Sequence, residues 1–357
     1  MNVLHIVSAK VWGGGETAAL SMCKTLKKNG YGVYVVIDGN EKVLRPMFEQ
    51  VGTVCSLKVK WINLWGFIKG LRSFIQKNDI QVVHTHTGRV IPLIILAIIG
   101  MPVKLIAYRH NAIRNKKDII HKIIYKRIDA FICVSNLVKK CQELDMPDWM
   151  KQKTYVVYNG VEKTDAHAVI QRKKDANDFV VGYAGRIVEN KGLLYLIDAF
   201  MQMADHGSVL KIAGDDNTEY AQKIKRYLSG KKCDNIEWLG YVSDMDSFYD
   251  DVDVMVCPSI VREAFGLSIC EAMYHGKPVI ASNNGAQIEI IDDNVDGILV
   301  KPGSADEIAE KLRLLRSDNI LCNEMGKKAK KKIYDNFTMS KWMANMNMIY
   351  TRIVERV

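Results

Sequence analysis

Proline is scarce in this chain, with 7 in 357 residues, and there is no Cys-x-x-Cys pair and no low-complexity run. The longest apolar stretch, Val90 to Val103, is interrupted by Pro92, Gly100 and Pro102, and it falls well short of the ~20 residues that a spanning helix needs. The opening Met1-Asn2-Val3-Leu4-His5-Ile6-Val7 is too short and too strand-like for a signal peptide. The eight cysteines, at 23, 55, 133, 141, 233, 257, 270 and 322, are scattered singly, several within apolar patterns. They read as reduced, mostly buried thiols, which points to the cytoplasm. Zinc-finger spacing, a Gly-aromatic RNA-binding signature and a recognition-helix pattern are all missing, so nucleic acid is not the expected partner.

The apolar content of 48% and charged content of 25% are globular values. The length is too great for one ordinary core and comfortable for two domains. The formal charge of +10 is uneven: residues 1–160 hold 24 Lys and Arg against 10 Asp and Glu, whereas residues 161–357 hold 26 against 30. The cations are densest from Arg109 to Arg127, where Arg109, Arg114, Lys116, Lys117, Lys122, Lys126 and Arg127 face one acid, Asp118. Ile119, Ile120, Ile123, Ile124 and Tyr125 interleave with them at roughly helical spacing. A basic amphipathic helix of this kind suits an anionic membrane surface or a phosphorylated acceptor. The plainer reading is a charged face that packs on its own domain through the isoleucines.

Apolar strand-like runs alternate with helical patterns along the chain. Val3–Val7 is followed by the turn Trp12-Gly13-Gly14-Gly15-Glu16 and a helix from about Thr17 to Lys28. Strands are expected at 33–37, ending at 82–84, and at 104–108 and 130–134, with a helix around 64–76. After the polar segment 171–178 the pattern restarts with strands at 179–183, 210–215, 236–239, 253–257 and 279–281. Strands alternating with helices imply parallel sheets with crossover connections. The expected fold class is therefore α/β, with two doubly wound domains in tandem and a linker near 160–178. Ligands of such sheets gather at the carboxyl ends of the strands, here in the cleft between the domains.

The most informative segment runs from Val261 to Met273. A buried strand ends at Pro258-Ser259, a loop carries Glu263, and Gly266 opens a helix whose first turns carry Glu271. Backbone N–H groups at such a helix start attract an anion, and a carboxylate stands on either side of it. Gly185-Arg186-Ile187-Val188-Glu189-Asn190-Lys191-Gly192 puts two cations at another strand-to-helix junction. Arg offers a planar fork for phosphate oxygens, and Lys a mobile point charge. Gly13-Gly14-Gly15-Glu16 is a glycine turn before a helix, without the spacing of a dinucleotide site. His84-Thr85-His86 places two imidazoles on one face of a strand end, but no further carboxylate or histidine cluster is evident to complete a metal site. Asp251-Val252-Asp253 matches a short metal-binding pattern, yet it leads into a buried strand and reads as a helix end and a strand start.

Glu-Ala-Phe-Gly-Leu at 263–267, Glu-Ala-Met at 271–273 and Gly-Lys-Pro-Val-Ile-Ala-Ser at 276–282 together resemble the donor-site signature of glycosyltransferase family 4, the retaining enzymes of the two-domain GT-B architecture. The likeness extends over most of the chain. It implies an N-terminal acceptor-side domain over 1–165, joined by a last helix at 340–357 that crosses back, and a nucleotide-sugar-binding domain over 178–339. It implies that Glu263 orients the donor sugar, that the N–H groups of Gly266 and Leu267 meet the sugar and phosphate, and that Glu271 holds the ribose. By the same likeness Arg186 and Lys191 clamp the diphosphate, where fixed cations stabilise the charge that develops on the leaving group. Gly14, Gly15 and Glu16 would line the cleft near the donor phosphate and acceptor. His110 would stand beside the anomeric carbon and the sugar's 6-hydroxyl. Ser135-Asn136 and Asn159-Gly160-Val161-Glu162 also match family segments. The family's Gly-Gly-x-x-Glu reads Gly285-Ala286-Gln287-Ile288-Glu289 here, a departure that bears on the approach to sugar or acceptor.

The expected activity is retaining, metal-independent transfer of a hexose from a nucleotide sugar, with no other cofactor. A UDP-sugar is the first expectation for the donor and GDP-mannose the second. The acceptor would be an anionic glycolipid, a lipid-linked oligosaccharide or a lipopolysaccharide glycan such as core or O-antigen. The protein would then be cytoplasmic and peripheral on the inner face of the bacterial inner membrane. A nucleotide-sugar epimerase of the same fold and a non-catalytic membrane-associated binding protein are the rival readings.

Overall fold

The computed structural model describes residues 1–9, 11–115, 118–144, 146–162, 179–203, 207–231 and 234–354. Most of the expected linker, together with Lys116, Lys117 and Cys233, lies outside the described residues. Two compact units divide the chain: 1–160 with 339–357, and 161–338.

Unit 1 alternates strands and helices in the order β1 (Asn2–Val7), α1 (Gly14–Lys28), β2 (Gly32–Ile37), α2 (Glu41–Phe48), β3 (Thr53–Ser56), α3 (Leu64–Lys77), β4 (Val82–Thr85), α4 (Ile91–Ala97), β5 (Lys104–Arg109), α5 (Ile119–Lys126), β6 (Ala130–Cys133), α6 (Asn136–Glu143), α7 (Asp148–Lys151) and β7 (Thr154–Val156). Its sheet runs β3-β2-β1-β4-β5-β6-β7, parallel throughout. The strands are near-continuous apolar runs because helices cover both faces. Side chains alternate along each strand, so Val3 and Val7 face one core while Leu4 and Ile6 face the other.

Unit 2 repeats the scheme with β8 (Phe179–Ala184), α8 (Leu193–Met203), β9 (Ser208–Ala213), α9 (Glu219–Leu228), β10 (Ile236–Gly240), α10 (Met245–Asp251), β11 (Val254–Cys257), α11 (Leu267–Tyr274), β12 (Val279–Ser282), α12 (Gln287–Ile290), β13 (Ile298–Val300), α13 (Ala305–Ser317) and α14 (Asn319–Asn336). The sheet order is β10-β9-β8-β11-β12-β13. Both sheets therefore reverse their strand order beside the first strand, between β1 and β4 and between β8 and β11. Such a switch point leaves a crevice outside the strand carboxyl ends. The last helix, α15 (Met339–Val354), belongs to unit 1 and packs on α1. It buries Trp342, Met343, Met346, Ile349, Tyr350 and Ile353 in the same core as Val3, Val35 and Ile106.

Asp251 and Asp253 occupy a helix end and a strand start. Asp251 closes α10 and is paired with the buried Lys211, while the Asp253 carboxylate accepts from the Val180 N–H at 2.8 Å. The seven described cysteines are all free thiols; Cys23, Cys133, Cys270 and Cys322 are buried and Cys55, Cys141 and Cys257 partly so. Burial pushes the Cys133 and Cys257 thiols up to about 12, so neither is a nucleophile near neutral pH. Among the described residues no helix is long and apolar enough to cross a membrane.

Candidate active site

In unit 2 the candidate residues gather on loops that leave β8, β11 and β12. The 190–192 turn and the loop after β11 are locked together: Ile260 N–H donates to Asn190 O at 3.1 Å, and a β-carbon on Gly192 (φ +72°) would lie 2.0 Å from Pro258 O. Only glycine tolerates both that approach and that φ. The loop after β12 closes on the same segment, with Asn284 Nδ2 donating to Ser259 O at 3.2 Å and Ala286 N–H to Glu263 O at 2.9 Å. Ala286 is fully buried in this arrangement, so its methyl group, where the family pattern has glycine, is accommodated.

Glu263 is the centre of the cluster. Its Oε1 lies 2.5 Å from Lys191 Nζ and also accepts from Ser259 Oγ, and the Lys191 and Glu263 side chains are 25% and 23% exposed. Lys191, for which the sequence pattern implies a mobile point charge, is thus paired with a carboxylate. Arg186 follows Gly185 (φ +155°) in the exposed turn after β8, and its carbonyl accepts from Tyr183 OH at 2.9 Å. The two expected cations thus differ in setting: Lys191 is paired with a carboxylate, and Arg186 is exposed.

Gly266 (φ +124°) caps α11. The first N–H groups of a helix have no acceptor within it, so those of Gly266 and Leu267 are available to an anion. Glu271 lies one turn into α11 and accepts from Tyr249 OH at 2.7 Å. Burial holds its carboxyl above the ordinary carboxylate range, and the Tyr249 bond and the nearby His275 pull it partly back. Behind it the His275 ring lies against Tyr249, centroids 5.5 Å apart and tilted by 31°, and is gripped by Asp250 at 2.8 Å and Asp246 at 2.9 Å. The sequence singled out Glu271 but neither Tyr249 nor His275, because neither lies in a recognisable motif.

In unit 1, Gly14 and Gly15 are the first residues of α1, capped by Gly13, and open space surrounds the position of a β-carbon on either. Ser135 caps α6 by accepting from Val138 N–H at 3.1 Å, and Asn136 donates to Tyr158 OH at 2.6 Å. Asn159 is buried, and Val161 pairs with Thr338 in unit 2.

His110 does not stand alone. His5 on β1, His84 on β4 and His86 just past it join it in one stack, since all four project from the sheet face that α1 and α15 cover. Ring centroids are 5.3 Å apart for His5 and His86 and 5.2 Å for His86 and His110, at interplanar angles of 16° and 26°. Burial pushes His5, His84 and His86 well below the ordinary histidine value and His110 down to about 4, so all four are neutral near pH 7. The sequence pattern singled out the His84-x-His86 pair but not the two further imidazoles that join it. His5 and His110 come from distant segments that only the sheet order β1-β4-β5 brings together. Among the described residues, no group of three or more His, Cys, Asp or Glu is placed to hold a metal ion.

The basic segment also differs from expectation. Arg109 ends β5 and is drawn inward over the Phe131 and Tyr125 rings, at 5.5 and 5.9 Å, so it leaves the surface cluster. The helix α5 is two turns long and is capped by Asp118, which accepts from His121 N–H at 3.0 Å. Three of its four isoleucines do not pack on the domain: Ile119, Ile120 and Ile123 are 75%, 65% and 65% exposed, and Ile113 nearby is 66% exposed. Tyr125 alone is fully turned in, with Ile124 half-buried.

Comparison with known proteins agrees with this architecture. The family described as Glycosyltransferase Family 4 matches residues 12–165, and that described as Glycosyl transferases group 1 matches residues 167–332. The capsular polysaccharide biosynthesis glycosyltransferase CapM of Staphylococcus aureus is 27% identical over 338 residues, 88% of each chain. The UDP-Gal:alpha-D-GlcNAc-diphosphoundecaprenol alpha-1,3-galactosyltransferase of Escherichia coli is 26% identical over 308 residues, 80% of this chain and 78% of that one. HepE of Anabaena, solved in complex with UDP and glucose, superposes with a TM-score of 0.82 at 19% identity, covering 98% of this chain and 99% of that one. With residues 12–165 and 167–332 both matched and two doubly wound parallel sheets in place, the chain belongs to glycosyltransferase family 4 and is a glycosyltransferase of the GT-B fold.

Proposed function

We propose that the protein is a retaining, metal-independent hexosyltransferase that uses a UDP-sugar and delivers the hexose to a lipid-linked or lipopolysaccharide glycan at the inner face of the bacterial membrane. The observation that carries this reading is the cluster at the β8/β11 switch point, where the Lys191–Glu263 pair, the start of α11 and the Glu271 carboxylate lie on interlocked loops. A diphosphate suits the N–H groups of Gly266 and Leu267 and the open Arg186 guanidinium. Glu263 is oriented by Lys191 and Ser259 to accept from sugar hydroxyls. Glu271 is oriented by Tyr249 to accept from the two ribose hydroxyls. His110 acts toward the donor sugar, and Gly14 and Gly15 leave room for a phosphate or acceptor at the start of α1.

No side chain in this assignment is a covalent nucleophile. The acceptor hydroxyl attacks on the face from which the nucleoside diphosphate departs, and its proton passes to the departing phosphate oxygen. The UDP named in the HepE complex and the UDP-galactose donor and diphosphoundecaprenol acceptor named for the E. coli relative support this choice of donor and acceptor class. The exposed isoleucines of α5, flanked by Arg114, Lys122 and Lys126, support contact with an anionic bilayer.

The test is a thermal-shift screen against UDP, GDP and ADP and their sugars, with and without a chelator, followed by transfer assays on polyprenyl-diphosphate-linked sugars. A chelator-insensitive shift with UDP, enlarged by one UDP-hexose, is the expected result. A shift with GDP alone transfers the assignment to GDP-mannose. Conversion of the nucleotide sugar without an acceptor would make the protein an epimerase. No shift with any nucleotide would leave a non-catalytic binding protein.

A further inference from the structure

Three of the four stacked imidazoles in unit 1 are joined in a line. His5 Nδ1 lies 3.0 Å from His86 Nε2, and His86 Nδ1 lies 2.9 Å from His110 Nε2. His84 is not in this line; its Nε2 meets Tyr350 OH at 3.0 Å. A neutral imidazole carries one N–H and one bare nitrogen, and every link in such a line needs one of each. His86 is bonded at both nitrogens, so it donates at one and accepts at the other. Only two proton arrangements satisfy both links. In the first, His5 Nδ1–H donates to His86, His86 Nδ1–H donates to His110 Nε2, and the His110 proton sits on Nδ1. In the second, every bond is reversed: His110 Nε2–H donates inward and the His5 proton sits on Nε2.

The inner end of the line distinguishes them. His5 Nε2 is buried and has no hydrogen-bond partner among the described residues. The second arrangement would leave an N–H there with nothing to donate to, a rare and costly condition in protein interiors. The first leaves only a bare lone pair. At the outer end, His110 Nδ1 meets no protein partner among the described residues and is not among the sealed-off polar atoms.

We propose that His86, with His5 behind it, is a positioning residue that locks His110 in the Nδ1–H tautomer, so that His110 serves as a neutral hydrogen-bond donor to a substrate oxygen and not as a general base. The proposal rests on the assignment of His110 to the substrate given above. Its Nε2 lone pair is already occupied by the His86 N–H, so the ring has no free basic nitrogen to take the acceptor's proton. The orientation of the donor N–H is fixed by the hydrogen-bonded sheet register, since His5 pairs with His84 across β1 and β4, and His86 and His110 follow the ends of β4 and β5.

The experiment is nitrogen NMR of the full-length protein carrying ¹⁵N-labelled histidine, at neutral pH and without ligand, with His110 assigned by comparison with His110→Gln. The expected result is a protonated Nδ1 and a bare Nε2 for His110. A proton on Nε2 overturns the proposal, whatever the activity turns out to be. His86→Phe keeps the stack but removes the donor, and is expected to mix the His110 tautomers and lower kcat by about tenfold with little change in KM. His86→Gln can still donate an amide N–H and is expected to restore both the tautomer and most of kcat. Equal loss in the two variants, with the His110 tautomer unchanged in both, would reduce His86 to a packing residue and overturn the proposal. If the tautomer is as expected but no nucleotide binds, the lock stands and the assignment of the site to a nucleotide sugar fails.

Discussion

Gly285 lies against the backbone of Glu263: a β-carbon at Gly285 would come within 2.5 Å of Glu263 N and 2.7 Å of Glu263 O. The next residue, Ala286, donates its N–H to that carbonyl. The position of Glu263 is thus set by a neighbouring loop as well as by its own. Gly285→Ala is expected to push the Glu263 loop outward and lower kcat/KM by roughly ten- to a hundredfold, because sub-ångström misplacement of an orienting group is costly. Circular dichroism should be unchanged, since the contact is between two loops. Wild-type kinetics in this variant would show that Glu263 does not need its present position.

Glu263 and Lys191 should not behave as independent residues. Each neutralises the other at 2.5 Å, so removing either leaves a partly buried charge unpaired. Glu263→Gln and Lys191→Met are each expected to reduce sugar transfer by at least about a hundredfold, and the double variant by much less than the product of the two. A double-mutant cycle on kcat/KM measures this directly. Strict additivity would mean that the pair is incidental to the chemistry.

Much of unit 2 was legible in the sequence because its site is local. Strand, loop and helix start follow one another within Val254–Tyr274, and the Glu-Ala-Phe-Gly-Leu pattern lies inside that span. The limits of α1 and α3 were also close to those read from the pattern, since glycine and apolar spacing mark them. What could not be read was whatever the sheet assembles across distance. His5 carries no signal in its own segment, and the His84-x-His86 pair and His110 could be picked out singly, but they meet only through the order β1-β4-β5. Tyr249 and His275 reach Glu271 from α10 and the end of α11, with no motif to announce them. The exposure of the α5 isoleucines was also invisible, because periodicity reports an apolar face but not whether anything covers it.

Tyr249 stabilises the ionised form of Glu271, which burial otherwise disfavours. Tyr249→Phe removes that hydrogen bond and should raise the Glu271 carboxyl further. Nucleotide affinity is expected to fall by about five- to tenfold at neutral pH. The acid limb of the binding curve should move to higher pH, because the protonated carboxyl no longer accepts from both ribose hydroxyls. Calorimetric titration of the nucleotide over a pH series separates this outcome from a simple loss of contact, which would lower affinity equally at every pH.

The histidine stack should make the protein acid-sensitive. His5, His84 and His86 have folded-state values well below 6.5, and His110 is at about 4. As pH falls through about 6.5 the unfolded chain binds protons that the native stack refuses, so stability decreases toward acid pH. The loss begins near the unfolded value and for His110 continues down to about 4. Urea unfolding at several pH values between about 7 and 5 should give a slope of stability against pH that is shallower in His84→Gln than in wild type by about one proton. An unchanged slope would place a proton on the stack in the native state.

The three exposed isoleucines of α5 give the last prediction. They occupy the apolar side of a short helix whose exposed cations are Lys122 and Lys126, with Ile113 and Arg114 in the preceding segment. Insertion of a few such side chains at the headgroup level and attraction of the cations to anionic lipid act together, and neither alone anchors a protein firmly. The triple variant Ile119→Ser, Ile120→Ser, Ile123→Ser is expected to lower binding to phosphatidylglycerol-containing vesicles by at least about tenfold. Activity on a water-soluble acceptor analogue should be preserved, since these side chains are exposed and support no core. Raising the salt concentration should weaken wild-type binding, because the Debye length shrinks to about 3 Å at 1 M, yet leave a residual apolar component that the triple variant lacks. Vesicle co-sedimentation at low and high salt resolves the two terms. If wild type and variant sediment alike at both, the isoleucines face something other than lipid.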